Sequence, residues 1–399
     1  MKIQALITAA TLVAPLLALP ASAQEVTSLE EAAFFGDDIS GFEVNYQKRW
    51  DANRPWREPQ DTNTAMNNPD LYAWQLFVAL NWPADSNRCR PDVNKTLGAE
   101  GLTTWETWAS REETFLEGAI EPAKWWRNCR DGGFYSLPEG DYSSLEDESV
   151  RMNKLTYNYI RDKKVYSLDE QERLAAAGVR DLNFPIGSKT VKAHWVRINE
   201  ADKPRYHWQE IERNGVVELY GMSGFHITSK DMPTWFWSTF EHVDNETRWA
   251  ETYPNGFRGW VVPSVDSIAC PSENLDCNQI PVGFGLEGTK WENYRLRGAQ
   301  VAAVDNRGNP TILTNSQLEG FLDQETMSCV TCHTLAVKGA SGGPMPILPF
   351  PGTVNEEGFL HGYVGIVDPN LFLDVNGNEV PYLGLDYVWT LRNAKREAQ

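Results

Sequence analysis

Hydrophobic positions first fall at helical spacing after Asn68-Pro69-Asp70, where Leu71, Trp74, Phe77 and Val78 share a face before Pro83 stops the run. Asn68 is placed to cap and Pro69 suits the first helical position, so the pattern predicts a helix over about 68–82. A second helix is predicted from Thr104 to about Leu116, with Trp105, Trp108, Phe115 and Leu116 on one side, and a third from Leu168 to Ala177. Tryptophan stripes of this kind read as core rather than as a cofactor box. Residues 24–66 are polar and mixed, as in an extended arm or short surface helices, and 117–185 are loop-rich with an acidic centre.

From Lys189 the period changes from helical to alternating. Thr190 to Ile198, Tyr206 to Arg213 and Val216 to Ser229 are rich in β-branched and aromatic residues and are separated by turn clusters, among them Arg213-Asn214-Gly215, a hairpin signal. Trp235 to Phe240 continues the series after Pro233, and Trp260 to Val262 adds a further candidate strand. Gln300 to Val304 and Pro310 to Leu313 read as a last hairpin. The fold class is therefore α+β, with early helices and a mainly antiparallel sheet over about 189–313. Beyond it, Ser316-Gln317-Leu318-Glu319 has the form of a capping box opening a helix, and Asp386 to Arg396 reads as a terminal helix with Tyr387, Val388 and Leu391 facing the core.

Between those two segments lies Cys329-Val330-Thr331-Cys332-His333, a C-x-x-C-H motif. In an exported protein this spacing is the attachment signature of c-type haem. Two thiols one helical turn apart can each take a haem vinyl group as a thioether, and the imidazole of the next residue then ligates the iron. A zinc site would need a second pair of ligands nearby, and only His361 follows. A redox dithiol would want a preceding strand and a βαβ frame.

The N-terminus supports export. Met1-Lys2 is a short basic start, Ala5 to Leu19 is mostly apolar, and Pro20-Ala21-Ser22-Ala23 supplies a small-residue cleavage pattern, so residues 1–23 read as a signal peptide and the mature chain as periplasmic. No later run approaches the ~18 to 20 apolar residues of a membrane span. The formal net charge of −19 argues against nucleic acid and anionic membrane surfaces as partners, and fits a basic electron-transfer protein. Of six cysteines, four remain outside the haem motif. In an oxidising compartment they suggest two disulfides, Cys270 with Cys277 by proximity and Cys89 with Cys129 by elimination, a metal or catalytic thiol being the alternative.

The haem motif resembles the cytochrome c superfamily over residues 311–396. Small cytochromes c hold haem between a helix leading to C-x-x-C-H and a C-terminal helix, and the tail resembles that plan. Longer strings, Trp74-Gln75-Leu76-Phe77-Val78-Ala79-Leu80-Asn81-Trp82-Pro83, Gly224-Phe225-His226-Ile227, Trp237-Ser238-Thr239-Phe240-Glu241-His242-Val243-Asp244-Asn245, Asn315-Ser316-Gln317-Leu318-Glu319 and Asp386-Tyr387-Val388-Trp389, resemble a family of periplasmic single-haem proteins known only as cytochrome c family proteins. The resemblance implies haem binding and electron transfer. The chain thus reads as an α+β body, 24–310, and a small α-helical, cytochrome c-like haem unit, 311–399, expected to pack together because no Gly/Ser- or Pro-rich linker separates the sheet from the haem motif.

The sixth iron position separates a carrier from an enzyme. Met345 resembles the Met-Pro loop ligand of small cytochromes c; His361, His226 and His242 are its rivals. His226 and His242 are also candidates for a small-molecule site on adjacent strands, with Glu241 and Lys230 placed to assist proton transfer. Asp374 to Glu379 lacks the full ligand series of a calcium loop and reads as a turn. The expected function is electron transfer by a mono-haem cytochrome; the alternatives are a haem-dependent oxidoreductase and a protein using haem as a redox sensor or staple.

Overall fold

A computed structural model describes residues 48–85, 90–125, 148–245 except 214, 266–271, 278–339 except 321, and 361–398 except 375. The signal-peptide segment, most of the arm at 24–66, Asn214, Trp260 to Val262, Cys89, Cys129, Cys277 and Met345 lie outside the described residues.

The chain forms a mixed α/β structure around a seven-stranded antiparallel sheet. Its strands are β3 (Ala109–Ser110), β4 (Glu148–Met152), β5 (Lys189–Arg197), β6 (Trp208–Arg213), β7 (Val216–Ser229), β8 (Phe236–His242) and β9 (Tyr294–Gln300); β1 (Ala84–Asp85) and β2 (Arg90–Pro91) make a separate small hairpin. The order is β3-β4-β5-β7-β8-β9, with β6 paired to the first half of β7. Strand β7 is long enough to pair with β6 through Val216–Gly221 and with β8 through Gly224–Ser229, while its other edge carries β5.

Alternation along these strands gives the sheet two buried faces of different character. Val191, Ala193, Phe225, Ile227 and Phe240 point to one face, where helix α2 (Pro69–Leu80), which follows helix α1 (Thr62–Asn67), lies across them. Every residue of α2 from Tyr72 to Leu80 is buried, so the helix is covered all round instead of showing one apolar stripe. Phe77 packs on Phe240 with ring centroids 4.3 Å apart, and Trp74 donates its indole N–H to Asp266 Oδ2 at 2.7 Å. Each large side chain buried here contributes about 1.5–3 kcal/mol.

Four expected elements are built differently. The predicted helix 104–116 is a single turn at Trp105–Thr107, the two-residue strand β3 and the short helix α3 (Arg111–Thr114). The Glu106 carboxylate folds back onto Thr103 N–H and hydroxyl, and Ser110 opens α3 with its own capping box to Glu113, so the segment is cut twice by its own polar side chains. The expected hairpin of 300–313 is displaced: β9 runs from Tyr294 to Gln300, and only an isolated bridge joins Val304 to Pro310.

Ser316 to Glu319 does not open a helix. Asn315 takes the capping role, its side-chain oxygen accepting from Gln317 N–H and Leu318 N–H, while Ser316 turns to Glu241. Nor is there a helix from Asp386 to Arg396. Asp386 and Tyr387 have φ of 49° and 67°, and only Trp389–Asn393 makes a 3-10 turn. The expected lengths of helix α5 (Leu168–Ala176), which follows α4 (Lys154–Asp162), and of β7 agree with the structure. Among the described residues no helix is long and apolar enough to cross a membrane.

Candidate functional site

The second face of the sheet carries Lys192, His226, Thr228 and Trp237, and the C-x-x-C-H segment lies over it. The motif forms helix α6 (Cys329–Thr334). Ser328 caps it through Thr331 N–H, and Gln300, on the last strand, fixes its start by accepting from Val330 N–H at 2.9 Å and donating to Ser328 Oγ at 2.7 Å. The motif is therefore anchored on the sheet itself. Behind it, β10 (Val337–Gly339) pairs with β11 (Tyr382–Gly384), which brings the C-terminal segment back across α6.

That return fixes His333. Its Nδ1 is 2.6 Å from the carbonyl oxygen of Tyr387; a carbonyl only accepts, so Nδ1 carries the proton and Nε2 keeps its lone pair. The carbonyl is aimed by the left-handed backbone of Asp386 and Tyr387, a conformation non-glycine residues adopt at a cost. Asp386 is held by Lys230 Nζ at 2.6 Å and by Phe184 N–H at 2.7 Å. Lys230 thus acts as a buttress for the His333 corner, not as a proton carrier beside the sheet histidines. Trp237 packs on the His333 ring at 4.3 Å, and Trp389 donates its indole N–H to Cys332 O. Burial lowers His333 to about 4, against a smaller opposing effect from the Tyr387 carbonyl, so the imidazole is neutral at ordinary pH.

Both motif cysteines are free thiols. Burial pushes Cys332 up to about 12 and Cys329 well above the ordinary thiol range, with the Glu319 carboxylate adding to both. A redox-active dithiol needs the opposite shift. Among the described residues no group of three or more His, Cys, Asp or Glu is arranged to hold a metal ion. Cys270 is engaged in a disulfide, and its expected partner Cys277 lies outside the described residues.

Between α6 and the sheet is a cavity of about 660 Å³, lined by Cys329, Cys332 and His333 on one side and by His226, Lys192 and Trp237 on the sheet. This lies within the size range of small-molecule and cofactor sites, about 300–1,000 Å³. Leu313, Leu318 and Leu322 supply apolar wall. Its polar wall holds the ion pair of Lys192 with Glu148 at 2.7 Å, and beside it His226 Nε2 lies 3.4 Å from the Glu319 carboxylate. Burial works to raise Glu319, but His226, Lys192 and the Asn315 N–H outweigh it and hold the carboxyl below its usual range. Lys192 is held above its ordinary value because Glu148 and Glu319 together outweigh the burial that opposes them.

The sequence candidates separate. His226 faces the cavity. His242 does not: it lies on the α2 side, stacked on Tyr206 at 3.6 Å, with Nε2 bound to Arg205 O and Nδ1 accepting from Asp244 N–H. The two histidines are therefore on opposite faces and form no common site. Glu241 shares a face with His226 but is spent on Ser316, Asn245 and Arg297, fastening the 315–319 turn to the sheet. Gly224 permits that turn to approach, since a Cβ there would meet the Asn315 side chain at 2.9 Å. His361 pairs with Asp323 at 3.4 Å and does not line the cavity. Asp374 accepts from Asn376 and Asn378 N–H, an ordinary Asx turn.

Sequence reasoning missed Lys192, Glu148, Trp237 and the cavity role of Glu319. The alternation Val191-Lys192-Ala193-His194 places Lys192 on the polar face, but only the register Lys192↔His226 shows that the two are neighbours. No protein-family model, curated protein or solved structure matches this chain.

Proposed function

We propose that this protein is an exported c-type cytochrome that carries one haem in the cavity between α6 and the sheet and passes electrons to or from a periplasmic partner. The observation that carries the reading is the cavity itself: two free thiols and a neutral imidazole with a free lone pair open onto one space of cofactor size.

The residues fit the group. Cys329 and Cys332 would be the thiols for its vinyl carbons and His333 Nε2 the iron ligand, and Arg111 and Arg392 are cations on the cavity wall that could meet its carboxylates. The Tyr387 carbonyl does for His333 what outer partners do for metal-binding histidines generally, fixing tautomer and ring direction and raising ligand basicity. Bound haem would supply a one-electron redox centre whose potential follows its axial ligands and burial. Trp237, Leu313 and Trp389 line the cavity, and the formal charge of −19 suits a basic partner.

A haem-dependent oxidoreductase is the second reading. The ionisable wall, Lys192–Glu148 beside His226–Glu319, favours it, because paired acids and bases in a cavity suit proton-coupled chemistry on a small molecule.

Haem-peroxidase staining of a denaturing gel tests the attachment. Protein matured with its export machinery stains, and the Cys329→Ala, Cys332→Ala double variant does not; an unstained wild type removes the proposal.

A further inference from the structure

We infer that His226 is the sixth ligand, placing the iron between two imidazoles, one from helix α6 and one from strand β7. The inference rests on the haem reading above and names a residue outside the attachment motif.

One atom of the cavity wall is unspent. His226 Nε2 is buried and makes no hydrogen bond, with the Glu319 carboxylate 3.4 Å away. A buried polar atom left open in a wall is uncommon and calls for a partner. The open nitrogen lines the same cavity as Cys329, Cys332 and His333.

Register places His226 beside the part of the sheet that His333 covers. His333 packs on Trp237, and Trp237 sits opposite Thr228 in the β7–β8 pair. His226 is the next residue on that face of β7, opposite Thr239, one side-chain repeat or about 6.6 Å from Thr228 along the strand, and it lines the same cavity as His333.

The neighbourhood is built to hold the ring. Lys192 stands directly across from His226 in β5, and Glu319 is delivered by the turn that Asn315 fixes to Thr239 and Phe240 O. Of the other donors lining the cavity, Lys192 is paired with Glu148; Met327 also lines it, and a Met327→Ala variant that alone loses the low-spin state overturns the assignment. His242 and His361 lie away from it.

Absorption spectra of the matured holoprotein, ferric and ferrous, with and without carbon monoxide, test the assignment. The wild type is expected to be low-spin in both states and inert to carbon monoxide. His226→Ala becomes high-spin when reduced and binds carbon monoxide, and added imidazole restores the low-spin spectrum. His226→Met, for the case where the alanine variant does not fold, stays low-spin with its reduction potential shifted upward, because a thioether favours the ferrous state. A high-spin wild type overturns the assignment and favours the oxidoreductase. So does a His226→Ala protein with the wild-type spectrum, a His226→Met potential equal to the wild type's, or a Met345→Ala variant that alone loses the low-spin state. Haem-free protein overturns both this assignment and the function it rests on; stained protein whose spectra ignore His226 overturns the assignment only.

Discussion

A single backbone corner decides how the C-x-x-C-H imidazole is presented. Asp386 and Tyr387 adopt left-handed backbone, and the buried Lys230–Asp386 pair, with side chains 8% and 7% exposed, keeps them there. Removing one partner of a buried pair leaves a charge without its counterion, at a cost of about 3–5 kcal/mol. Lys230→Met is therefore expected to lower unfolding free energy by that order in chemical denaturation, and to shift the haem potential because the Tyr387 carbonyl no longer holds His333 Nδ1. A structural role confined to folding would leave the potential of the surviving protein unchanged.

Asp266 is a second residue whose charge matters. It accepts from Trp74 Nε1, Ile268 N–H and Ala269 N–H, and burial, opposed by those bonds, raises its pKa. With the folded value above 3.8, the unfolded chain loses its proton first as pH climbs, so stability attributable to this group declines from about pH 4 upward until the folded carboxyl also ionises. Asp266→Asn is expected to flatten that slope in a pH series of denaturation curves. A slope equal to the wild type's would place its origin elsewhere.

At the scale of elements, the helix buried on every side and the turn stapled to the sheet carry the fold. Phe77→Ala, in the middle of α2, is expected to cost about 3–5 kcal/mol by denaturant titration. Glu241→Ala leaves Ser316 N–H and Arg297 without their carboxylate and is expected to cost a similar amount. It also frees Glu319 from its place beside His226, so the holoprotein spectrum changes with it.

The same elements show what the sequence could reveal. The proline and the stop around α2 were local, and so were the turn signals around β7; both elements are legible, although Asn68 at the N-cap makes no side-chain hydrogen bond to the helix. The helix read at 104–116 fails on local signals that the apolar spacing masked, Glu106 folding back on Thr103 and Ser110 opening a new turn through Glu113; the one at 386–396 fails because Asp386 is taken by Phe184 N–H, a distant partner that spacing cannot disclose. The thiols and His333 were legible as a motif. Their surroundings were not, because the wall opposite is assembled by strand register: His226 meets Lys192 from another strand and Glu319 from a turn ninety-three residues later in the chain.

Considered as a whole molecule, the sheet separates two tasks. One face closes on α2 with aromatic side chains, and the other faces the cavity with charge. Protein with both thiols removed is therefore expected to keep the α2 core, with far-UV circular dichroism close to the wild type's. Faster hydrogen exchange is expected to be confined to 313–335 and 382–393. Loss of protection throughout 69–80 and 189–242 would show that the two faces form as one cooperative unit.

The corner at Tyr387 has a consequence for biogenesis. On the proposed export, Cys329 and Cys332 reach the far side of the membrane fifty-eight and fifty-five residues ahead of the Tyr387 carbonyl that orients the neighbouring ring. Any lyase joining porphyrin to sulfur meets an unroofed site, and the chain's last stretch then shuts it. On the proposed haem reading, completion of the site is thus timed by the arrival of the 382–393 segment, and shortened polypeptides ending before that stretch would retain the addresses for attachment but lack the latch.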